Sequence, residues 1–218
     1  MAEIRVKICC IQSADEAVAA AAAGAQAIGL VSAMPSGPGV IDDDRIAAIA
    51  RIAPPHLLRF LLTSLLDAEA IAAQASHCGT DTVQLVDQVP TTELRRLRSL
   101  RPDLTLVQVI HVRGEIALTE ARTAEPYVDA LLLDSGCPDA EQRELGGTGR
   151  THDWSLSRRI VDGSAVPVWL AGGLNPKNVT AAVQAVEPFG VDVCSGVRRD
   201  GLLDECFLTA FVEAARGH

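Results

Sequence analysis

Apolar runs of strand length recur along this chain, each followed by a helical pattern, and that alternation constrains the fold more than any other feature. Strands are expected near residues 4–10, 27–31, 57–62, 82–85, 104–112, 128–133, 166–170 and 191–194. Between them lie Ala-rich amphipathic stretches such as 13–23, 42–51 and 67–77, and a patterned segment, 203–215, closes the chain. Ser13 and Asp67 precede such stretches as candidate N-caps. Strands alternating with helices, without a linker or a break in composition, imply one parallel sheet with right-handed crossovers. Eight such units in 218 residues fit a compact (β/α)8 TIM barrel, one domain over 1–218, better than an open doubly wound sheet. The first strand–turn also lacks the G-x-G-x-x-G fingerprint that would favour a dinucleotide fold. The doubly wound sheet stays as the structural alternative.

Hydrophobic residues make up 48% of the chain but aromatics only 3%, so Ala, Val, Leu and Ile must build the core. That composition disfavours a base-stacking surface, and a formal charge of −9 argues against a nucleic-acid partner. No run reaches the ~18 apolar residues of a membrane span. The first residues, Met1-Ala2-Glu3-Ile4-Arg5, lack the layout of a secretion signal. Six cysteines form no CxxC pair, which weakens zinc and redox-motif readings. A reduced cytoplasmic protein with free thiols is therefore expected. The monomer and the homodimer are both open.

Two strand-to-helix turns near the C-terminus point to a ligand. The first is Val166-Pro167-Val168-Trp169-Leu170-Ala171-Gly172-Gly173-Leu174-Asn175-Pro176, and the second is Val191-Asp192-Val193-Cys194-Ser195-Gly196-Val197. Each apolar strand stops at or near glycine, where backbone N–H groups are free to approach an anion. Turns after the last two strands of an eight-stranded barrel commonly hold a phosphate. A phosphorylated small molecule is therefore expected.

Period-two alternation in the first strand puts Val6, Ile8 and Cys10 on one face and Lys7, Cys9 and Ile11 on the other. The all-apolar set should face the helices, which sends Lys7 and Cys9 into the barrel. A lysine there needs an anionic partner or a wet cavity. A buried cysteine is ordinarily a small hydrophobe, but Cys9 ends the first strand in phase with Lys7, where barrel enzymes keep chemistry. Asp134 closes the run Ala130-Leu131-Leu132-Leu133 and is either a turn aspartate or a catalytic carboxyl. A thiolate lowered in pKa by Lys7 and a protonated Asp134 would make a base and acid pair. The glycine-rich stretch Glu144-Leu145-Gly146-Gly147-Thr148-Gly149-Arg150 reads as a lid or ligand clamp. Gly147, Gly149 and Arg150 are its candidate contacts. Asp192 suits either the phosphate network or structural pairing. His111 fits a packed, hydrogen-bonded histidine, and Asp153 a helix cap. No metal cluster or Ser–His–Asp arrangement competes, and no cofactor is expected.

With those residues set out, the chain resembles the phosphoribosylanthranilate isomerase family of tryptophan biosynthesis. The resemblance rests on Val6-Lys7-Ile8-Cys9, Leu131-Leu132-Leu133-Asp134, Gly146-Gly147-Thr148-Gly149 with Asp153-Trp154-Ser155-Leu156, the segment from Ala171 to Val179, and Val191 to Val197. It implies a (β/α)8 barrel that performs a metal-free Amadori rearrangement of an N-linked 5-phosphoribosyl amine. It further implies that Cys9 is the general base, Asp134 the general acid, and Gly172, Gly173, Ser195 and Gly196 the phosphate turns. Three departures stand out. Cys10 follows the catalytic cysteine where the family usually has glycine. Pro35-Ser36-Gly37-Pro38-Gly39-Val40 replaces a Ser-Pro-Arg-aromatic loop and supplies no arginine. Val83-Gln84-Leu85-Val86-Asp87 replaces Val-Gln-Leu-His-Gly, adding a negative charge near the mouth. Arg59, Arg113 and Arg150 are possible substitutes for the absent arginine. An isomerase acting on a different phosphoribosylated amine and a non-catalytic phosphosugar-binding protein are the alternative functions.

Overall fold

The computed structural model describes residues 3–136 and 152–217. Its eight parallel strands are β1 (Arg5–Ile8), β2 (Ala27–Val31), β3 (Leu58–Thr63), β4 (Thr82–Leu85), β5 (Thr105–His111), β6 (Ala130–Asp134), β7 (Val168–Leu170) and β8 (Gly190–Val193). They pair in chain order, and β8 returns to β1 with Val6 opposite Val191 and Lys7 opposite Asp192. That last pairing closes the barrel and removes the open doubly wound sheet. The helices around it are α1 (Ala14–Ala22), α2 (Asp43–Ile52), α3 (Ala68–Cys78), α4 (Thr91–Leu100), α5 (Ile116–Ala124), α6 (Trp154–Gly163), α7 (Val179–Val186) and α8 (Glu205–Arg216).

Side-chain alternation sorts the strands into two apolar layers. Val6, Ile8, Ile28, Leu30, Leu61, Leu131 and Leu133 belong to the layer packed under the helices. Ala27, Val31, Phe60, Leu62, Val107, Val109, Ala130, Leu132 and Trp169 form a separate cluster that fills the barrel. Burial on both faces is why the strands read as continuous apolar runs. In a chain poor in aromatic residues, three of them gather in one chain of contacts. Phe60 meets Trp169 edge-on at 5.8 Å between centroids, and Trp169 meets Phe189 at 5.4 Å.

The helices run from 8 to 12 residues, too short to be stable alone in water. Packing and caps hold them. Ser13 accepts from the Glu16 N–H at 3.2 Å while the Glu16 carboxylate accepts from the Gln12 N–H at 2.9 Å. Asp67 caps α3 through the Ala70 N–H at 2.9 Å, and Asp153 caps α6 through the Ser155 N–H at 2.8 Å. Each such cap is worth about 1 kcal/mol.

Two local differences from the sequence expectation have a backbone cause. β1 ends at Ile8, and Cys10 adopts φ +63°. The alternation is broken there, so Cys10 joins the inner cluster and Ile11 the outer one, the reverse of the period-two pattern. The final helix starts at Glu205 because Leu202 and Leu203 pair with Arg199 and Arg198 in a small hairpin, after which Asp204 caps α8. Among the described residues no helix is long and apolar enough to cross a membrane.

Phe60 sits inside the barrel at 2% exposure, whereas Leu100 is 45% exposed at the end of α4. Phe60→Ala should cost about 3–5 kcal/mol, and Leu100→Ala less than about 0.5 kcal/mol. Urea denaturation of both variants measures this, and equal costs would contradict the layer assignment.

Candidate active site

Cys9, Asp134, Asp192, Gly172, Gly173 and Ser195 line one cavity of about 70 Å³ at the C-terminal mouth of the barrel. A larger cavity, about 270 Å³, opens between α4 and α5 beside Gln108, Arg113 and Glu120. Size does not decide between them. Of the two, the mouth combines a thiol, two carboxyls and both glycine turns, so it is the candidate site.

Under the mouth lies a buried ion pair. The Lys7 ammonium donates to Asp192 Oδ2 at 2.8 Å, and Lys7 is fully buried while Asp192 is 7% exposed. Burial opposes the charge on Lys7, but the Asp192 carboxylate and Cys9 outweigh it, so its pKa lies above the ordinary lysine value. Burial is also the largest influence on Asp192 and leaves its pKa raised despite the opposing pull of Lys7. Gly29, inside β2, makes room for this arrangement. A β-carbon there would come within 2.7 Å of Cys9 Sγ and 3.1 Å of Lys7 Nζ. The sequence reading passed over this glycine, although a glycine inside a strand pattern is itself the signal of a close approach.

Cys9 points into the same cavity, with its N–H donating to the Val193 carbonyl at 2.8 Å. The expected lowering of its pKa does not occur. Burial pushes the thiol up to about 11, and Lys7, already committed to Asp192, recovers only part of that. On the β6 side, Asp134 is partly buried and its Oδ1 accepts from the Ser135 N–H at 2.7 Å. Desolvation is again the largest influence and raises its pKa against the pull of Ser135, His111 and Lys7. Desolvation thereby shifts this carboxyl toward its protonated form. Gln84, from β4, also lines the mouth, and its buried Oε1 has no hydrogen-bond partner among the described residues. It is a polar wall residue not singled out from the sequence.

The two glycine turns face each other. Gly172 and Gly173 have φ +84° and +64°. The Gly173 carbonyl accepts from Asn178 Nδ2 at 3.0 Å, while Asn178 Oδ1 accepts from the Asn175 N–H at 2.8 Å. The Asn-Pro-Lys-Asn segment thereby fixes the first turn at the start of α7. A β-carbon on Gly196 would strike the Leu174 carbonyl and come within 3.0 Å of Asn175 Cα, so the second turn lies against the first. His152, its pKa lowered to about 4 by burial, stands beside Gly172 and bonds Ser157 Oγ at 2.7 Å.

Other candidates sit elsewhere. Gly147, Gly149 and Arg150 lie outside the described residues. Lys7 lies below the cavity rather than on its wall. Arg59 pairs with Asp81, and Arg113 pairs with Glu120 at 3.3 Å beside the other cavity. Asp87 is buried and accepts from the Gln88 N–H at 2.9 Å, away from the mouth lining. His111 is packed as expected, bonded to the Val86 carbonyl at 3.0 Å.

The expectation of free thiols fails at one pair. Cys10 and Cys194 are joined by a disulfide, with Cα atoms 5.9 Å apart and 184 residues between them in sequence. Only closure of β8 on β1 brings them together, which a search for adjacent cysteines cannot detect. Among the described cysteines, Cys9, Cys78 and Cys206 are free.

The family model described as N-(5'-phosphoribosyl)anthranilate (PRA) isomerase matches residues 6–214. The chain is 37% identical to N-(5'-phosphoribosyl)anthranilate isomerase 2 of Methanosarcina mazei over 98% of this chain and 94% of that relative. It superposes on phosphoribosyl anthranilate isomerase from Thermotoga maritima with TM-score 0.85 and 30% identity, covering 99% of this chain and 100% of the other. A phosphoribosyl anthranilate isomerase solved with reduced 1-(o-carboxyphenylamino)-1-deoxyribulose 5-phosphate gives TM-score 0.82 at 29% identity, with 99% and 100% coverage.

The buried thiol carries a stability signature. The unfolded chain loses its thiol proton near pH 8.5, whereas folded Cys9 holds it to about 11. The folded state therefore binds more protons in that window, and stability falls as pH rises through it. About 3 kcal/mol of this fall should vanish in Cys9→Ala. Urea denaturation of wild type and variant at pH 8 and pH 11 tests it, and parallel losses in the two proteins would contradict the assignment.

Proposed function

This chain belongs to the N-(5'-phosphoribosyl)anthranilate isomerase family, and from that premise we propose that the mouth carries out the Amadori rearrangement. It is an isomerase of tryptophan biosynthesis. N-(5-phosphoribosyl)anthranilate is converted to 1-(2-carboxyphenylamino)-1-deoxyribulose 5-phosphate. The observation that carries the reading is the convergence of Cys9, Asp134 and the paired glycine turns on one cavity.

The phosphate enters the facing turns, where N–H groups of Gly172, Gly173, Ser195 and Gly196 meet its oxygens. Asp134, whose protonated form burial favours, gives a proton to the furanose ring oxygen. The C1–O bond breaks, and the amine nitrogen supplies the electron pair for a C1=N iminium. Cys9 then takes the C2 proton, and those electrons neutralise the iminium to give an enolamine. Protonation at C1 and loss of the C2 hydroxyl proton complete the ketone. C1 is reduced and C2 oxidised within one molecule, so the step is an intramolecular oxidoreduction that consumes no outside electron. The raised pKa of Cys9 makes the thiolate scarce before the substrate opens. The cationic iminium beside Sγ favours the thiolate at the moment it is needed.

A second reading has its own observation. Among the described residues lining the mouth none is Lys or Arg, and Met34, Ser36, Gly37 and Pro38 form the wall supplied by the second loop. That wall suits an aglycone without the anthranilate carboxylate, and a related phosphoribosylated amine would use the same acid and base. Lower KM for such an amine than for the anthranilate substrate would favour it.

Loss of anthranilate-type fluorescence follows turnover directly. Cys9→Ala and Asp134→Asn should each lower kcat by about 10²–10⁴-fold, with KM within about threefold. Activity near wild type in either variant removes these roles. Absence of turnover by the folded wild-type protein at saturating substrate removes the isomerase reading.

A further inference from the structure

The Cys10–Cys194 pair lies at a point where a covalent bond has mechanical consequences. Cys10 follows Cys9 directly, Cys194 immediately precedes the Ser195–Gly196 turn, and Cys9, Cys10, Cys194 and Ser195 line the mouth. Cys10 also holds φ +63°, a left-handed conformation that disfavours a side chain with a β-carbon. Its surroundings are tight. A β-carbon added to Gly39 of the second loop would fall 2.5 Å from Cys10 Cβ, and Arg198, which pairs with Glu16, donates to the Cys10 carbonyl. A cysteine in a glycine-like conformation, bonded across the barrel seam, is a placement with a cost and a partner.

We propose that Cys10–Cys194 is a reversible thiol–disulfide lock that sets the affinity of the mouth for the phosphate end of its ligand. The inference rests on the phosphate reading of the facing turns. In the oxidised protein the bridge fixes the Ser195–Gly196 turn relative to Cys9, so ligand binding orders less of the mouth. Reduction transfers two electrons and two protons from a dithiol to the bridge. The S–S bond breaks, Cys10 and Cys194 become thiols, and the dithiol closes to its own disulfide. The freed turn then has to be ordered by the ligand. Cys9 and Asp134 keep their chemistry, so the effect falls on KM rather than kcat. Disulfides in reducing compartments are commonly redox-sensing elements of this sort.

The test compares the full chain before and after dithiothreitol, together with Cys10→Gly, a residue at ease with the positive φ. Alkylation under non-reducing denaturation, read by mass spectrometry, reports the bridge. KM and kcat report the mouth, and inorganic phosphate titrated as a binding probe reports its grip independently of turnover. The expected result is a bridge between residues 10 and 194 and a KM about tenfold higher after reduction with kcat within about twofold. Phosphate should weaken about tenfold in parallel, and Cys10→Gly should match the reduced protein in both conditions. Alkylation of both thiols in unreduced protein overturns the proposal. So does equal phosphate affinity, or none, in the two redox states. If turnover is absent in both states while phosphate affinity still shifts with reduction, the isomerase reading falls and the lock stands.

Discussion

The ion pair between Lys7 and Asp192 is the interaction on which the rest of this structure depends. It spans the β1–β8 seam, where a sheet becomes a barrel, and it lies directly beneath the reactive mouth. Two charges removed from water are tolerated only when each supplies what the other has lost. Here register makes the pairing obligatory, because Lys7 and Asp192 are direct neighbours in the ladder. Gly29 on the adjoining strand then leaves space for the lysine stem and for the Cys9 sulfur above it.

From that pair the electrostatics of the mouth follow. Lys7 is shared between Asp192 and Cys9, so its charge only partly offsets the desolvation of the thiol. Asp134 lies farther along the same field and stays raised under desolvation. Desolvation thus favours the protonated form of both the sulfur and the carboxyl. In the proposed mechanism the carboxyl donates at ring opening and the sulfur accepts at C2 afterwards. The facing glycine turns are braced by Asn175 and Asn178, so the groups proposed to meet the phosphate are already ordered.

Much of this was legible in the residues because two periodicities carried it. The apolar runs place the strands, and alternation within the first strand sends Lys7 and Cys9 inward. What stayed hidden depended on distance in space rather than in sequence. The Cys10–Cys194 bridge joins residues 184 apart, and the break in alternation at Cys10 comes from one left-handed backbone angle. The sign of the Cys9 shift is hidden as well. A neighbouring lysine implies a lowered thiol pKa, while burial and the prior claim of Asp192 decide the balance. Gly29 was visible as a glycine inside an apolar strand, but its purpose emerges only when β1 and β2 lie side by side.

The seam pair has both a structural and an electrostatic task, and charge removal in matched steps separates them. Stability by urea denaturation and kcat should be measured for Lys7→Met, Asp192→Leu and the double variant. Each single variant strands a buried charge and should lose about 3–5 kcal/mol, while the double variant should regain most of that. Its kcat should nevertheless stay at least about 100-fold below wild type, because Cys9 then lacks its cation. A double variant with wild-type turnover, or single variants as stable as wild type, would contradict the account.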